Sequence, residues 1–469
     1  MAKTGRTPTE VSEEIEVLTR FCREVQFEDL PGPIVQEAKN RLLDLLGCAL
    51  AGVREPSSGM VRRVLREWGG SAEATVIGTD VRMPAALAAF CNGAAGHAVE
   101  LDDDHKQAIL HPGVCVVPAA LAVGEKAKIS GRQVLAAIVA GYEIMCRIGE
   151  AALPDRLLAK GFHPTAVCGA FGAAAAAAHV QGLSLEQFRA ALGIAGSFAA
   201  GLFEFVNDGT LVKRLHPGNA AKSGILAAQL ASQGYSGPRQ VLEGRMGFFN
   251  AFAGGFSPEP LARDLGQRFE IARTSYKQYA CCSYCHPLMD ALLELLDATP
   301  LDPAQVQEVV GRTFTDAVCL VGEPLAQKQE PANPVDAQFS APYSLAVAFW
   351  DSQAMPEQFS AARVRDARVR RLTRKIRIEA DPSFDREFPQ RYPAEVVIRM
   401  QDGRTLSHRV PTSKGDPAWP MTQGEIERKF YALAGDALPP GRAEAIRHTV
   451  GRLDASPNLR ELAALLAAG

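Results

Sequence analysis

The stretch Gly161-Phe162-His163-Pro164-Thr165-Ala166-Val167-Cys168-Gly169-Ala170-Phe171-Gly172-Ala173-Ala174-Ala175-Ala176-Ala177-Ala178-His179 sets the fold class. Gly161 to Thr165 interrupts the preceding helix, and Thr165 is the expected cap of the next one, which runs to His179. Six consecutive alanines leave little side-chain volume between this helix and its neighbours, so they can approach closely. The segment therefore belongs at the centre of a helical core.

Helical spacing continues on both sides. Ile34, Val35, Ala38, Leu42, Leu43, Leu45, Leu46, Ala49 and Leu50 recur behind Pro31-Gly32-Pro33, and Gly52 ends the run. Ala74 to Thr79 is a short strand-like run. Further helices are expected over 84–99, 117–126, 133–148 behind Ser130, 184–200 with a Ser184/Gln187 capping box, and from about Ala220. Character changes near position 270. Val306 to Thr313, Lys375 to Ala380 and Tyr392 to Met400 alternate like strands, and Asp402-Gly403 supplies a hairpin turn into Thr405 to Val410. Cys285 to Ala298 and Gln338 to Trp350 read as helices. Past the Thr422/Glu425 capping box the chain is helical again over 426–433, 444–453 and 459–467, too little to fold alone. The expected architecture is mainly α. A large all-helical domain (1–270) is completed by 415–469, and a smaller α+β domain covers 271–414.

A hydrophobic share of 47%, a charged share of 22% and a net charge of −3 describe an ordinary soluble chain, with no electrostatic reason to bind nucleic acid or an anionic membrane. Apolar runs break before membrane-spanning length, and Met1 to Glu10 is polar without an apolar signal core; a cytoplasmic address is expected. Seven of the ten cysteines are scattered singly, which fits free thiols in a reducing compartment. Cys281-Cys282-Ser283-Tyr284-Cys285 is the exception, but one Cys-x-x-Cys is a weak signal for zinc or an iron–sulfur cluster, and no metal is expected. No glycine-rich phosphate loop is present.

Chemistry concentrates in His97-Ala98-Val99-Glu100-Leu101-Asp102-Asp103-Asp104-His105 and on to His111-Pro112-Gly113. A core would not tolerate those carboxylates unpaired. A solvated acidic loop is the plain alternative, and a divalent-cation site a second, though no His-x3-His pair or calcium-loop spacing accompanies it. Seven of the nine histidines fall between 97 and 286, and Lys213, Lys222 and Lys277 lie in the same span of a chain with only 13 lysines. These groups are expected to converge on one pocket for an anionic, polycarboxylate small molecule. Lys213 and His216, with Gly218 at a helix start, form a carboxylate clamp or else a basic surface loop. Removing a proton beside a carboxylate needs cations on its oxygens, for which Lys213, Lys277, His163 and His216 are candidates. It also needs an acid/base pair, for which His111 and Asp102 to Asp104 are candidates.

Seven stretches carry a resemblance. They are Ala38 to Gly52, the His97–Asp104 loop with His111-Pro112, Gly161 to Thr165, Lys213 to Lys222, Lys277 to Cys282 with His286-Pro287, Asp336 to Tyr343, and Lys414 to Pro417. In that order they resemble the MmgE/PrpD family, whose members include 2-methylcitrate dehydratase, cis-aconitate decarboxylase and iminodisuccinate epimerase. The resemblance implies that the α+β domain is a lid over the helical one, a homodimer, a site at the domain junction, and no required metal or organic cofactor. By position it implies a catalytic set of Asp104, His111, His163, Lys213, Lys277 and Tyr343. Glu100, Asp102, Asp103, His216 and His286 would bind substrate. Lys213, Lys277 and His163 would hold carboxylates and stabilise an enolate-like intermediate, His111 would move a proton, and Asp104 would tune it or act as partner. A Tyr at a helix start is also commonly a packed ring. The family's usual loop has Asp followed by Asp-Asp-Thr where this chain has Glu100 followed by Asp102-Asp103-Asp104. A carboxylate in place of that hydroxyl would repel one substrate carboxylate. The expectation is therefore a 2-methylcitrate dehydratase-like hydro-lyase on a di- or tricarboxylic acid. Epimerisation of an imino- or hydroxy-dicarboxylate, decarboxylation of a cis-aconitate-like acid, and non-catalytic dicarboxylate binding are the alternatives.

Overall fold

Small residues decide how closely the helices pack. The computed structural model describes residues 11–467, the side chain of Asp436 excepted; the polar Met1 to Glu10 segment lies outside the described residues. The first part of the chain forms α1 (Glu13–Glu24), α2 (Gly32–Gly52), α3 (Pro56–Glu67), α4 (Ala85–Gly96), α5 (Gly113–Ala127), α6 (Gly131–Ala151), α7 (Pro154–Ala159), α8 (Pro164–Val180), α9 (Leu185–Phe198), α10 (Phe205–Asp208) and α11 (His216–Ser232). Helix α8 is central, with Ala173 to Ala178 wholly buried against α5, α6, α9 and α11. Contact with α11 is so close that a Cβ on Gly224 would stand 2.4 Å from the Ala174 nitrogen. Any larger residue there forces the pair apart.

Three of the helix starts that differ from the sequence reading lie around the acidic stretch and its lysine and histidine partners. Helix α5 begins at Gly113 rather than Val117, and α11 at His216 rather than Ala220. Helix α8 begins at Pro164 with His163 as its cap, so Thr165 is inside the helix, where its Oγ1 instead accepts the His111 backbone N–H at 3.0 Å. One cause covers all three: proline has a helix-ready φ and no N–H to leave unsatisfied, so it starts helices. Each start lies within or just after a His-Pro dipeptide.

The C-terminal helices Gln423–Ala434, Arg442–Gly451 and Arg460–Leu466 add Phe430, Ile446, Val450, Leu462 and Leu466 to the same helical core. The first is capped by the Thr422/Glu425 box. Lys429 on it is buried, reaching Asp44 of α2 at 2.6 Å and the Leu101 carbonyl at 2.7 Å, which ties the chain end to the acidic loop.

A two-stranded ribbon, β1 (Ala74–Thr75) with β2 (Arg82–Met83), lies beside the helices. A second hydrophobic core gathers around β3 (Val306–Thr313), β4 (Ile376–Ala380), β5 (Ala394–Met400) and β6 (Thr405–Val410). Their order is β4-β3-β5-β6, with β3 parallel to β4 and the other pairs antiparallel. Helices His286–Ala298 and Ala341–Asp351 contribute to that core. The hairpin closes through Met400 N–H to the Arg404 carbonyl at 2.9 Å, and only Gly403 takes a positive φ, +90°. That is a three-residue loop ending in a left-handed glycine. Strand β5 starts at Ala394 and not Tyr392, since Pro393 has no N–H to give a ladder. The protein is mainly α with small sheets. Among the described residues no helix is long and apolar enough to cross a membrane.

Candidate active site

The acidic stretch is not a solvated loop. Glu100, Asp102, Asp103 and Asp104 are 3%, 1%, 3% and 8% exposed, so each needs a partner and each has one. Glu100 lies against Lys213 Nζ, with Lys277 Nζ at 3.6 Å. Asp102 Oδ2 accepts from His97 Nδ1 at 2.8 Å. Asp103 accepts the Tyr142 hydroxyl at 2.7 Å and the Gly113 N–H at 2.9 Å, with Arg41 at 3.7 Å. Asp104 exchanges backbone hydrogen bonds with Ser275 at 3.1 and 2.7 Å, anchoring the loop to the chain just before Lys277. His105 Nε2 meets Glu270 at 2.9 Å. Glu100 has φ +56°, a left-handed conformation unusual outside glycine. It is held because the carboxylate must reach two lysines from distant segments.

These partners push the groups in different directions. Burial pushes the Glu100 carboxyl up, but Lys213 and Lys277 outweigh it and hold it at about 2. Burial of Asp103 outweighs Arg41 and Tyr142 and raises it to about 7. Burial also raises Asp104, against Lys277 and Lys106. Lys277 is driven up despite burial, because Glu100, Asp102 and Asp104 surround it, whereas burial leaves Lys213 below its usual range.

Six of the candidates, Glu100, Asp104, His111, His163, Lys213 and Lys277, line one cavity of about 430 Å3 between the two hydrophobic cores. His111 Nδ1 donates to the Asp103 carbonyl at 2.8 Å. That fixes the tautomer and leaves Nε2 with its lone pair free for a substrate proton. Burial and Lys277 push the ring down to about 3, helped by His97 and Lys213 and opposed by Asp102, so His111 is a neutral base. His163 and His216 share a hydrogen bond between their Nδ1 atoms at 2.9 Å, and burial pushes both down, His216 to about 4. His163 Nε2 is thereby left to the cavity while His216 stands behind it.

The other candidates do not line the cavity. Asp102 and Asp103 lie behind His97 and His111. Tyr343 is wholly buried in the α+β core, with its hydroxyl given to the Gln358 carbonyl at 2.6 Å. It is the packed ring at a helix start. His286 is 2% exposed, its Nε2 at 3.3 Å from the Cys281 carbonyl and its ring against Tyr279. Lys222 lies over the Phe90 ring, away from Lys213 and Lys277. The clamp of Lys213 with His216 is split, since one faces Glu100 and the other His163. Of the cysteine cluster only Cys282 reaches the cavity, while Cys281 packs against Met289 at 3.7 Å. Sequence reasoning missed Ser283, Tyr284, Phe203, Phe339 and Tyr392 in the lining, which no spacing marks. Among the described residues one group, His105, Glu150 and Glu270, has metal-ligand proximity, but Arg273 Nη1 is the cation between those carboxylates at 3.1 and 2.6 Å.

This arrangement can hold an anion on two ammonium groups beside a neutral base. The MmgE/PrpD N-terminal domain model matches residues 16–261, and the MmgE/PrpD C-terminal domain model matches residues 279–455. The chain belongs to the MmgE/PrpD family. This MmgE/PrpD protein is 30% identical to the cis-aconitate decarboxylase-like protein oryM of Aspergillus oryzae, over 98% of its own length and 99% of that protein. It is 31% identical to cis-aconitate decarboxylase of Aspergillus terreus, covering 96% and 95% of the two chains. To human cis-aconitate decarboxylase it is 30% identical, covering 92% and 90%.

A pH profile tests the state of His111. With its ring at about 3 in the free protein, kcat/KM has no acid limb near 6.5 and falls only well below pH 5. An acid limb at 6 to 7 assigns the base to a different group.

Proposed function

We propose that this protein is a lyase acting on a small polycarboxylic acid by proton transfer at the carbon beside a carboxylate. The observation that carries the reading is His111, a neutral imidazole with Nε2 free, facing the same cavity as Lys213 and Lys277. The lysines hold substrate carboxylates and take up the negative charge that grows on them in the enolate-like transition state. Asp104, raised by burial, is the proton donor.

Loss of carbon dioxide is the first reading, supported by the curated relatives. The bond to one carboxylate breaks, its electron pair moves into the system conjugated with the carboxylate on Lys277, carbon dioxide leaves, and Asp104 gives its proton to carbon. The repulsion expected from Asp104 in place of a hydroxyl is weakened as burial shifts it toward the form that offers an O–H. Dehydration is the second reading, favoured by the pairing of a base with an acid. His111 takes the α-proton and Asp104 protonates the departing hydroxyl, releasing water.

Incubating the protein in deuterated water with cis-aconitate, citraconate, citramalate and 2-methylcitrate, followed by NMR, tests this. Deuterium at the carbon beside a carboxylate with loss of carbon dioxide, or an alkene formed with loss of water, is the expected result. Exchange without loss of mass makes the protein an epimerase. Binding without exchange makes it a carrier.

The separate hydrophobic cores support a further part of the reading, in which residues 271–414 form a lid over the helical part made of 1–270 and 415–469. Exposed Leu202, Leu211, Val212 and Leu226 support pairing of two copies, and ten free cysteines, nine of them buried, support a reducing cytoplasmic address.

A further inference from the structure

The cavity carries more carboxylate than its inner end uses. Lys213 and Lys277 are its only ammonium groups among the described lining residues, and Glu100 already lies against both. Toward solvent the lining changes sign. Asp155 in the first turn of α7 and Asp316 in the helical turn Thr315–Ala317 line the open end, both exposed, one from each half of the protein. No Lys or Arg of the described lining stands with them. Asp385 adds a third carboxylate behind Asp316, accepting the Thr315 N–H at 2.7 Å and the Thr315 hydroxyl at 2.8 Å. Burial, Asp155 and Asp385 together push the Asp316 carboxyl up, so these acids feel one another across the opening.

We propose that Asp155 and Asp316 are specificity-determining residues that restrict the substrate to two carboxylates and select a neutral or amine-bearing outer end. The proposal rests on the lyase reading and narrows its substrate class. At the inner end the two lysines are already shared with Glu100, so they leave no spare positive charge for a third substrate carboxylate. A third on the same small molecule points outward and meets two like charges, with no cation to offset them. Each such contact in a partly wet opening weakens binding by roughly threefold to tenfold at low salt, and less as salt screens it.

Citraconate and cis-aconitate make the test direct, because they differ in one outer carboxymethyl group replaced by methyl. Calorimetric Kd values are measured for both acids at low salt, on the wild-type protein and on the double variant Asp155→Asn/Asp316→Asn. Wild type is expected to bind citraconate at least about tenfold more tightly than cis-aconitate. The double variant is expected to gain about tenfold for cis-aconitate, with less than about threefold change for citraconate, and the gain shrinks at high salt. Equal Kd values in the wild type, or an unchanged cis-aconitate Kd in the variant, overturn the proposal and leave the lyase reading intact. Failure of the wild type to bind either acid overturns both. If the double variant does not fold, each single variant is expected to show a gain of about threefold, and no gain in either overturns the proposal.

Discussion

Replacing His111 by Ala is expected to lower dehydration of the acid substrate, in which His111 takes the α-proton, by about 100-fold to 10,000-fold, the range that positioned proton transfer contributes. The thermal midpoint should stay within a few degrees. The imidazole borders an open cavity, so its removal leaves no sealed void. The chain there is held by groups the variant keeps, namely the His111 backbone N–H on Thr165 and the Gly113 N–H on Asp103. What is lost is one hydrogen bond to the Asp103 carbonyl, worth about 1 kcal/mol. Paired measurement of kcat and thermal unfolding checks this. Full activity moves the base elsewhere, and a collapsed midpoint makes His111 a structural residue.

Replacing Arg147 by Ala is expected to do the reverse, lowering the stability of the helical part without removing a group that lines the cavity. Arg147 is wholly buried in α6, with Nε on Glu143 at 2.7 Å. Its Nη1 donates to the Pro260 and Arg263 carbonyls at 2.9 Å each, and its Nη2 donates to the Arg268 carbonyl at 3.0 Å. Glu143 also accepts the Glu270 N–H at 2.6 Å, and Glu270 in turn holds His105. Removing the guanidinium leaves the buried Glu143 carboxylate and three carbonyls without that donor, while Glu270 keeps His105 and Arg273. Breaking one side of such a network costs about 3–5 kcal/mol. A fall in thermal midpoint of about 3–5 °C is expected for a chain this long. A fall below about 2 °C would show that water or a neighbouring arginine replaces it. The site is coupled to the same network, because the His105 anchor and the loop carrying Asp104 and His111 are contiguous in sequence.

The contrast between these two residues shows where reading the chain works. Arg147 carries no motif and drew no attention, since its importance comes from carbonyls at 260, 263 and 268. His111 was found from its company. A further signal was present and unread: His111-Pro112, His163-Pro164, His216-Pro217 and His286-Pro287 each place an imidazole at or just before a helix start. Three of those rings gather around or behind the cavity. The fourth, His286, is buried against Tyr279 in the other core, so the dipeptide marks a helix start and not a role.

Tyr343 shows the opposite error. Its position in the family's order suggested chemistry, but helix 341–351 turns the ring into the α+β core, where Gln358 takes its hydroxyl. The helices, the Ser130 cap, the capping boxes at Ser184 and Thr422, and the Gly403 hairpin were legible because each rests on contacts a few residues apart. Proline moved helix starts by up to four residues without changing which segments were helical.

By itself the amino-acid order determined the local elements, the mainly α class and the stock of acids, imidazoles and lysines available for chemistry. Only the tertiary structure decided that Glu100 would lie between Lys213 and Lys277, 113 and 177 residues further along, while Asp104 nearby is driven toward its neutral form. Neighbouring carboxyls are thus pushed in opposite directions, because ionisation depends on burial and on the sign of the nearest neighbour, and neither is a property of adjacent residues.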